Sequence, residues 1–379
     1  MTTRCMTDVV IKPVSSWRDR RRFIDFAWQL YHDDPNWMPP LRQNQRELLG
    51  YRPHPFHQNA EVQTFLALRR GQVCGRIAAI VNHEHNRVFN ERRGFFGFFE
   101  SIDDGAVSNA LFDTARQWLA ERDMQQIRGP ANPSMNYECG LLVEGFDSPP
   151  MFMMTYNPPY YSRLVEEYGF RKTHDLLAYI GYRDQLPQVD GQLGPLAEQA
   201  QERSNAIIRP LDSARFMEDV ELFLDLYNRS LVAMWGFVPL PPDEMKKLAS
   251  SLRYLLIPEL TLFAEVDGQG VGTVVGLPDY NPRIKEINGR LFPFGFLKLL
   301  AHRKDMTRMR VISIAVVPAY QRWGLGLVLL RNLVPKALDI GVQEAEFSWV
   351  SEDNDLARLG LEKGGAKRYK TYRMYDLDG

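Results

Sequence analysis

Apolar positions along this chain recur on two short periods and one long one. Runs of alternating or continuous apolar residues flank glycine turns at Thr64–Val81 and Thr261–Leu277, the pattern of two β-hairpins. Val311–Val317 is a β-branched run, as expected of a strand buried on both faces, and Pro318 ends it because proline cannot donate to a ladder. Glu344–Val350 alternates Ala345, Phe347 and Trp349 with Glu344, Glu346 and Ser348, a strand period of two. Helical spacing predicts helices at Phe23–Leu30, at Phe216–Leu231, around Val107, Leu111, Ala115 and Trp118, and over Leu327–Leu338 with an interruption at Pro335.

The long period divides the chain. An extended start ends at Pro13 and again at Pro210; Gly75 and Gly272 mark the two hairpins; Tyr179 and Tyr375 close two helix–glycine–strand segments. The first two pairs are 197 residues apart and the third 196. Each half reads strand, helix, hairpin, strand, helix, strand, helix, strand. The expected class is α/β (α+β), two tandem domains, each with a mixed, mainly antiparallel sheet flanked by helices. The expected boundaries are 1–182, a linker 183–206 and 207–379. The linker falls in a Gln-, Gly- and Pro-rich stretch, within which Leu193–Arg203 could form a connecting helix.

Composition narrows the function. The 379 residues are 45% hydrophobic and 25% charged, with a net charge of −1, which excludes a strongly basic nucleic-acid binder and makes nucleic acid an unexpected partner. Cys5, Cys74 and Cys139 are too few and too scattered for a disulfide scaffold or a zinc site. The seven histidines show no metal-ligand spacing; His83 and His85 read as loop residues, and no metal is expected. Without a signal-like start or an apolar run of membrane length, the expectation is a cytoplasmic protein.

The chemistry concentrates after the β-branched run. Gln321-Arg322-Trp323-Gly324-Leu325-Gly326 links a strand to a helix through two glycines, an arrangement that offers unpaired amides and a helix dipole to a diphosphate. Arg322 adds a fixed charge. Val316, Pro318, Gln321, Gly324 and Gly326 match V-x-P-x-x-[QR]-x-x-G-x-[GA], and this segment resembles the acyl-CoA-binding core of the GCN5-related N-acetyltransferase (GNAT) superfamily. Asn354, Ala357, Lys363 and Gly365 are similar to the helix that follows in that family, whereas its usual tyrosine acid falls at Leu361 and its phenylalanine at Ala366. The whole chain is similar to an uncharacterised bacterial tandem-GNAT family, through DPNWMPPL, GFFGFFES and GLLVEGFDSPPMFMMTYNPPYY.

The resemblance implies acetyl-CoA or longer acyl-CoA as co-substrate. Its binding would involve Val316, Val317, Gln321, Arg322, Trp323, Gly324, Leu325, Gly326 and Asn354, with a backbone N–H of Val316 or Val317 on the thioester carbonyl. It also implies N-acyl transfer of a group other than aminoacyl to an amine. Glu138 and Glu346 are the candidate bases, and Tyr372, or Tyr369 near it, could replace the missing acid. In the first half the corresponding strand Gly94–Phe99 runs into Glu100, Asp103 and Asp104, carboxylates that suit helix capping and repel a pyrophosphate. The first half is thus expected to keep the fold without the phosphate loop.

Its long connection Gly129–Tyr161 holds the candidate acceptor-site residues Asn136, Tyr137, Tyr156 and Asn157 in a Met- and aromatic-rich setting. Between Asn288 and Arg310 six Lys/Arg and one Asp accompany Phe292, Phe294, Phe296, Leu297 and Leu300. A short basic amphipathic helix there could contact a membrane surface or admit a lipid-like amine; a helix packed on the sheet with a solvated basic face is the alternative. Three readings result: a CoA-dependent N-acyltransferase; a non-catalytic acyl-CoA-binding or regulatory protein; and an aminoacyl-tRNA-dependent transferase, against which the intact phosphate loop argues. Oligomeric state is left open.

Overall fold

The structure, a computed structural model, describes residues 9–301 and 306–378. Its strands are β1 (Val10–Pro13), β2 (Ala60–Arg69), β3 (Gln72–Asn82), β4 (Arg93–Ser101), β5 (Gln126–Gly129), β6 (Ala131–Asn132), β7 (Glu138–Cys139), β8 (Leu141–Glu144), β9 (Arg171–Tyr182), β10 (Ile207–Pro210), β11 (Thr261–Val266), β12 (Gln269–Pro278), β13 (Arg308–Val316), β14 (Glu344–Ser351) and β15 (Lys367–Asp378). The chain divides into two compact units. Unit 1 runs to Asp175 and includes Asn288–Leu291 and the chain from Tyr372; unit 2 holds Leu176–Ile287 and Phe292–Thr371.

Each unit has the mixed sheet that the sequence pattern predicts. In unit 1, β1 to β4 are antiparallel neighbours, β4 and β5 are parallel, and β5 pairs antiparallel with Tyr375–Asp378 of β15. In unit 2, β10 to β13 are antiparallel, β13 and β14 parallel, and β14 pairs antiparallel with Leu176–Tyr182 of β9. The units therefore differ from the two sequence halves at their last strands: β9 ends in the second unit and β15 in the first. Sequence order cannot show this, because a terminal strand takes whichever edge offers an unpaired ladder.

Amphipathic helices cover the sheets. In unit 1 Val107, Leu111 and Ala115 of the helix Gly105–Ala120 are buried with Ile77, Ala79 and Phe96. In unit 2 Leu325, Val328, Leu329 and Leu333 of the helix Leu325–Asp339 pack with Phe263, Val274, Val311 and Val316. That helix runs through Pro335 without interruption. The expected linker is also mostly helical, Leu186–Ser204, and belongs to unit 2: Arg331 donates to the Gly194 carbonyl at 3.2 Å and to Glu198 at 2.7 Å.

Two sequence readings change here. His83 and His85 lie on the helix His83–Phe89, capped by the Asn82 side chain, and His85 is buried between Phe89 and Phe95. The segment Gly129–Tyr161, read from the sequence as a long connection without secondary structure, carries the short strands β6, β7 and β8. β6 and β7 form a two-stranded ribbon, Cys139, Leu142 and Met151 are buried, and the Asn157 amide holds both the N–H (2.7 Å) and the carbonyl (3.1 Å) of Leu142. Such reciprocal bonds are how an irregular buried segment satisfies its backbone.

Candidate acyl-transfer site

The site in unit 2 follows from where a ladder stops. β13 pairs with β14 from Arg308↔Glu344 to Val311↔Phe347, yet continues to Val316. The Val317 N–H donates to the Val271 carbonyl at 3.0 Å, so that amide is engaged in the sheet with β12. Antiparallel alternation then turns the N–H and carbonyl of Val316 the other way, toward the side β14 has left. The Gln321 side chain donates to that carbonyl at 2.9 Å and closes the turn; the Val316 N–H points into the gap.

The chain then makes one helical turn, Pro318–Gln321, and reaches Gly324 at φ +81, where a side chain would be strained and its Cβ would stand 3.1 Å from that of Ala200. Gly324 caps the helix Leu325–Asp339 with no side-chain partner, and its carbonyl already takes the Leu327 N–H at 2.9 Å. The first-turn amides of Leu325 and Gly326 point out of the helix end. Arg322 is exposed beside them, and Trp323, 36% exposed, packs at 5.0 Å from Tyr320 with the Arg203 guanidinium 5.1 Å over its ring. On the sheet itself, the hydroxyls of Ser313 and Thr273 are buried with no hydrogen-bond partner. An open strand edge, orphaned hydroxyls and a bare helix start fit the amide-bearing arm and diphosphate of an acyl-CoA.

Where the ladder is still closed, a buried polar cluster stands. The alternation of β14 is present, but the polar positions are the buried ones: Glu346 has no exposed surface and Ser348 is 4% exposed. Glu346 accepts from Ser348 Oγ and from the Tyr369 hydroxyl, and Arg310 lies at 3.7 Å. Arg310 in turn donates to Ser348 Oγ at 2.7 Å and lies over the Trp349 ring. A buried carboxylate needs such partners. Tyr369, partly exposed, is the outer end of the cluster. Tyr372 is elsewhere: it belongs to unit 1, fully buried beside Gly140. Asn354 is the N-cap of the helix Asp355–Lys363, accepting from Ala357 N at 3.1 Å, and Leu361 packs with Leu177, Tyr179 and Val350.

Unit 1 repeats the frame and fills it. The β4–β5 ladder ends at Phe95↔Arg128, and Ala131–Asn132 lies along the rest of β4: the Ala131 carbonyl occupies the space a Cβ on Gly97 would need, and the Asn132 side chain accepts from the Phe98 N–H at 2.6 Å. Instead of a phosphate loop there is Asp104, capping the next helix at 2.8 Å and paired with Arg69; Asp103 is paired with Arg163. Glu100 is enclosed by Tyr31 (2.7 Å), Tyr161 (2.8 Å) and Arg76 (3.3 Å); burial pushes its carboxyl above the usual range, against the pull of Arg76. Of the candidate acceptor-site residues, Tyr156 donates to Asp34 at 2.8 Å, Tyr137 packs on His54 and Phe56, and the Asn136 backbone N–H donates to Ser134 Oγ at 3.3 Å. Glu138 lies on β7, partly exposed, and Asn157 is the buried clamp on β8.

Arg310, Ser348 and Asn132 escaped the sequence reading. A charged pair placed on adjacent parallel strands, Arg310 and Glu346, was the one signal that could have pointed to the cluster. Among the described residues no group of His, Cys, Asp or Glu could hold a metal ion, and no helix is long and apolar enough to cross a membrane.

The sequence matches the acetyltransferase (GNAT) family over residues 220–360. The bacterial ceramide synthase of Caulobacter vibrioides is 36% identical over 382 residues, covering 97% of each chain. Protein YghO of Escherichia coli is 34% identical over 382 residues, covering 99% of this chain and 97% of its own. A solved tandem GNAT protein from the clavulanic acid biosynthesis pathway superposes with a TM-score of 0.57 over 98% of both chains at 10% identity, a likeness of fold.

Proposed function

The chain belongs to the acetyltransferase (GNAT) family, and from that premise we propose that it is an N-acyltransferase moving an acyl group from acyl-CoA to a long-chain amine. The observation that carries the donor side is the ladder that stops at Val311↔Phe347 while β13 continues to Val316 and the bare helix start beyond it. On the acceptor side the support is the name of the Caulobacter relative. A ceramide is the amide of a fatty acid with a long-chain amino alcohol, so the acceptor class would be a lipid-like amine and the donor a long-chain acyl-CoA.

In this reading the amides of Leu325 and Gly326, with Arg322, hold the diphosphate, and the Val316 N–H pairs with the amide-bearing arm, which runs along the open edge of β13 toward the Glu346 cluster at the inner end of the gap. The amine nitrogen attacks the carbonyl carbon, the C–N bond forms and the C–S bond breaks. The amine proton passes through Tyr369 to Glu346, which the buried Arg310 keeps in place. The leaving thiolate is a weaker base than the amine, so the loss of the tyrosine at Leu361 removes an acid the reaction can do without. Glu138, Tyr156, Asn136 and Tyr137 of unit 1 are proposed contributors to the acceptor side.

The test supplies palmitoyl-CoA and a long-chain amino alcohol to the full chain and follows free thiol and amide by mass spectrometry, alongside analysis of co-purifying CoA species. Amide and thiol should appear one for one. Tyr369→Phe should lower kcat ~tenfold or more with CoA affinity within ~twofold, and shift the acid limb of the pH profile. Tight CoA binding with no amide from any amine tried would instead favour the non-catalytic acyl-CoA-binding reading, which the Leu361 replacement supports.

A further inference from the structure

The connection between β12 and β13 carries an apolar edge that the core does not use. Phe292 is 77% exposed, Phe294 68%, Phe296 43% and Leu297 56%, so four large apolar side chains within six residues face solvent. The helix they lead into, Gly295–Leu300, is seated by one buried residue, Leu299. Scattered exposed apolar residues are ordinary, but a contiguous run is the mark of a surface that meets something apolar.

The charges beside this edge are nearly all of one sign. Lys298 lies on the same helix. Arg283 and Lys285 lie on the neighbouring helix Asn281–Glu286, joined to it by the bond from Arg283 to the Lys298 carbonyl at 3.2 Å. Glu286 is the single carboxylate on the two helices. Phenylalanine and leucine at the tip with cations behind them match the layering of a bilayer surface, acyl chains below and anionic headgroups above.

The place in unit 2 gives the edge a direction. The connection leaves the sheet where β13 begins, with the Asp279 N–H on the Arg308 carbonyl at 2.9 Å. The phosphate loop lies past the other end of the strand, ~26 Å away at the rise of an extended chain. The highly charged nucleotide would thus stay in water at one end while the other end faces the edge. We propose that Phe292, Phe294, Phe296 and Leu297, with Arg283, Lys285 and Lys298, form a docking edge that seats unit 2 on an anionic phospholipid bilayer, its lipid substrate arriving from that side. The inference rests on the acyltransferase reading for the substrate, but not for the docking.

The experiment floats the purified full chain with vesicles of phosphatidylcholine containing phosphatidylglycerol, and with phosphatidylcholine alone. The wild type should float with the anionic vesicles and much less with the neutral ones. Phe292→Ser/Phe294→Ser should lower the partition ~tenfold or more. Lys285→Gln/Lys298→Gln should lower it ~tenfold and flatten its salt dependence. These residues are exposed, so melting temperature and CoA affinity should be unchanged in both variants, which separates docking from folding and from donor binding. Turnover of a short water-soluble amine should also be unchanged, while turnover of a vesicle-embedded long-chain amine falls. Flotation as expected without any amide formed would uphold the edge and fell the acyltransferase reading. Absent flotation, equal flotation of the aromatic variant, or loss in that variant of a self-association seen by sedimentation instead of vesicle binding, would overturn the proposal.

Discussion

In unit 2 the parallel ladder ends at Val311, and beyond it no strand among the described residues takes up the edge of β13 that β14 has left; in unit 1 the ladder ends at Phe95, and Ala131–Asn132 follows along β4 at once. The residues at the turns differ to match. Gly324 at positive φ leaves a helix start bare, whereas Asp104 caps the helix start of unit 1 and is itself paired with Arg69. One frame thus leaves an open strand edge in unit 2 and a filled one in unit 1. The difference teaches that the splayed strands alone are not a binding site: the slot exists only where the chain leaves its backbone groups unanswered, because a buried unpaired N–H or carbonyl is costly unless a ligand or the chain itself pairs it.

Cutting the chain at the expected boundary should have the largest effect. A fragment 207–379 loses Leu176–Tyr182 from β14 and the helix Leu186–Ser204 from its partner helix, leaving β14 as an edge strand. It should be insoluble or lack a cooperative melt; a soluble, cooperatively melting fragment would break the account of units that end on each other's sequence half. Next, equilibrium titration should give one CoA per chain. Gly324→Asp should weaken it ~100-fold or more, with Gly324→Asn, equal in shape and uncharged, far milder, since a like charge against a diphosphate costs several kcal/mol. Gly105→Asp, at the capped helix start of unit 1, where a Cβ would meet nothing within 4 Å, should leave CoA binding untouched. Two equivalents, or equal effects of Gly324→Asp and Gly105→Asp, would erase the asymmetry.

A third measurement sharpens the comparison through stability. Burial, against the pull of Glu91, lowers His85 from 6.5 to about 4. A base whose folded value is depressed contributes stability above the ordinary value and loses it as pH falls toward the folded one. Wild-type stability should therefore fall by up to ~3 kcal/mol between pH 6.5 and about 4, less in His85→Leu, as read by urea midpoints. Because His85 lies in unit 1, added CoA should not remove that slope. The smallest effect is expected from Tyr156→Phe, which loses the bond to Asp34: ~1 kcal/mol of stability, lower turnover and CoA affinity within ~twofold. Unchanged turnover there and in Glu138→Gln would confine the chemistry to unit 2.

Much of this was legible in the amino-acid order. The 3.6- and 2-residue periods, the matched pairs near 197 residues apart, the Gln321–Gly326 turn and the carboxylates at Glu100, Asp103 and Asp104 determine the repeated mixed sheet, the loop with bare amides and its absence from the first half, since these depend on local propensity and capping chemistry. Tertiary structure alone decided the rest. It buried the polar side of β14, because Arg310, the partner of Glu346, lies 36 residues earlier, on the strand that the ladder sets beside β14. It made Asn157 a clamp and the Gly129–Tyr161 segment a packed element, because their partners are backbone groups that no side-chain pattern encodes. It took the Val317 amide for Val271 and turned that of Val316 to the gap, because hydrogen-bond direction in a sheet follows register. And it gave Leu176–Tyr182 to unit 2 and Tyr375–Asp378 to unit 1, because strands pair with the edge that is open in space, whatever their order along the chain.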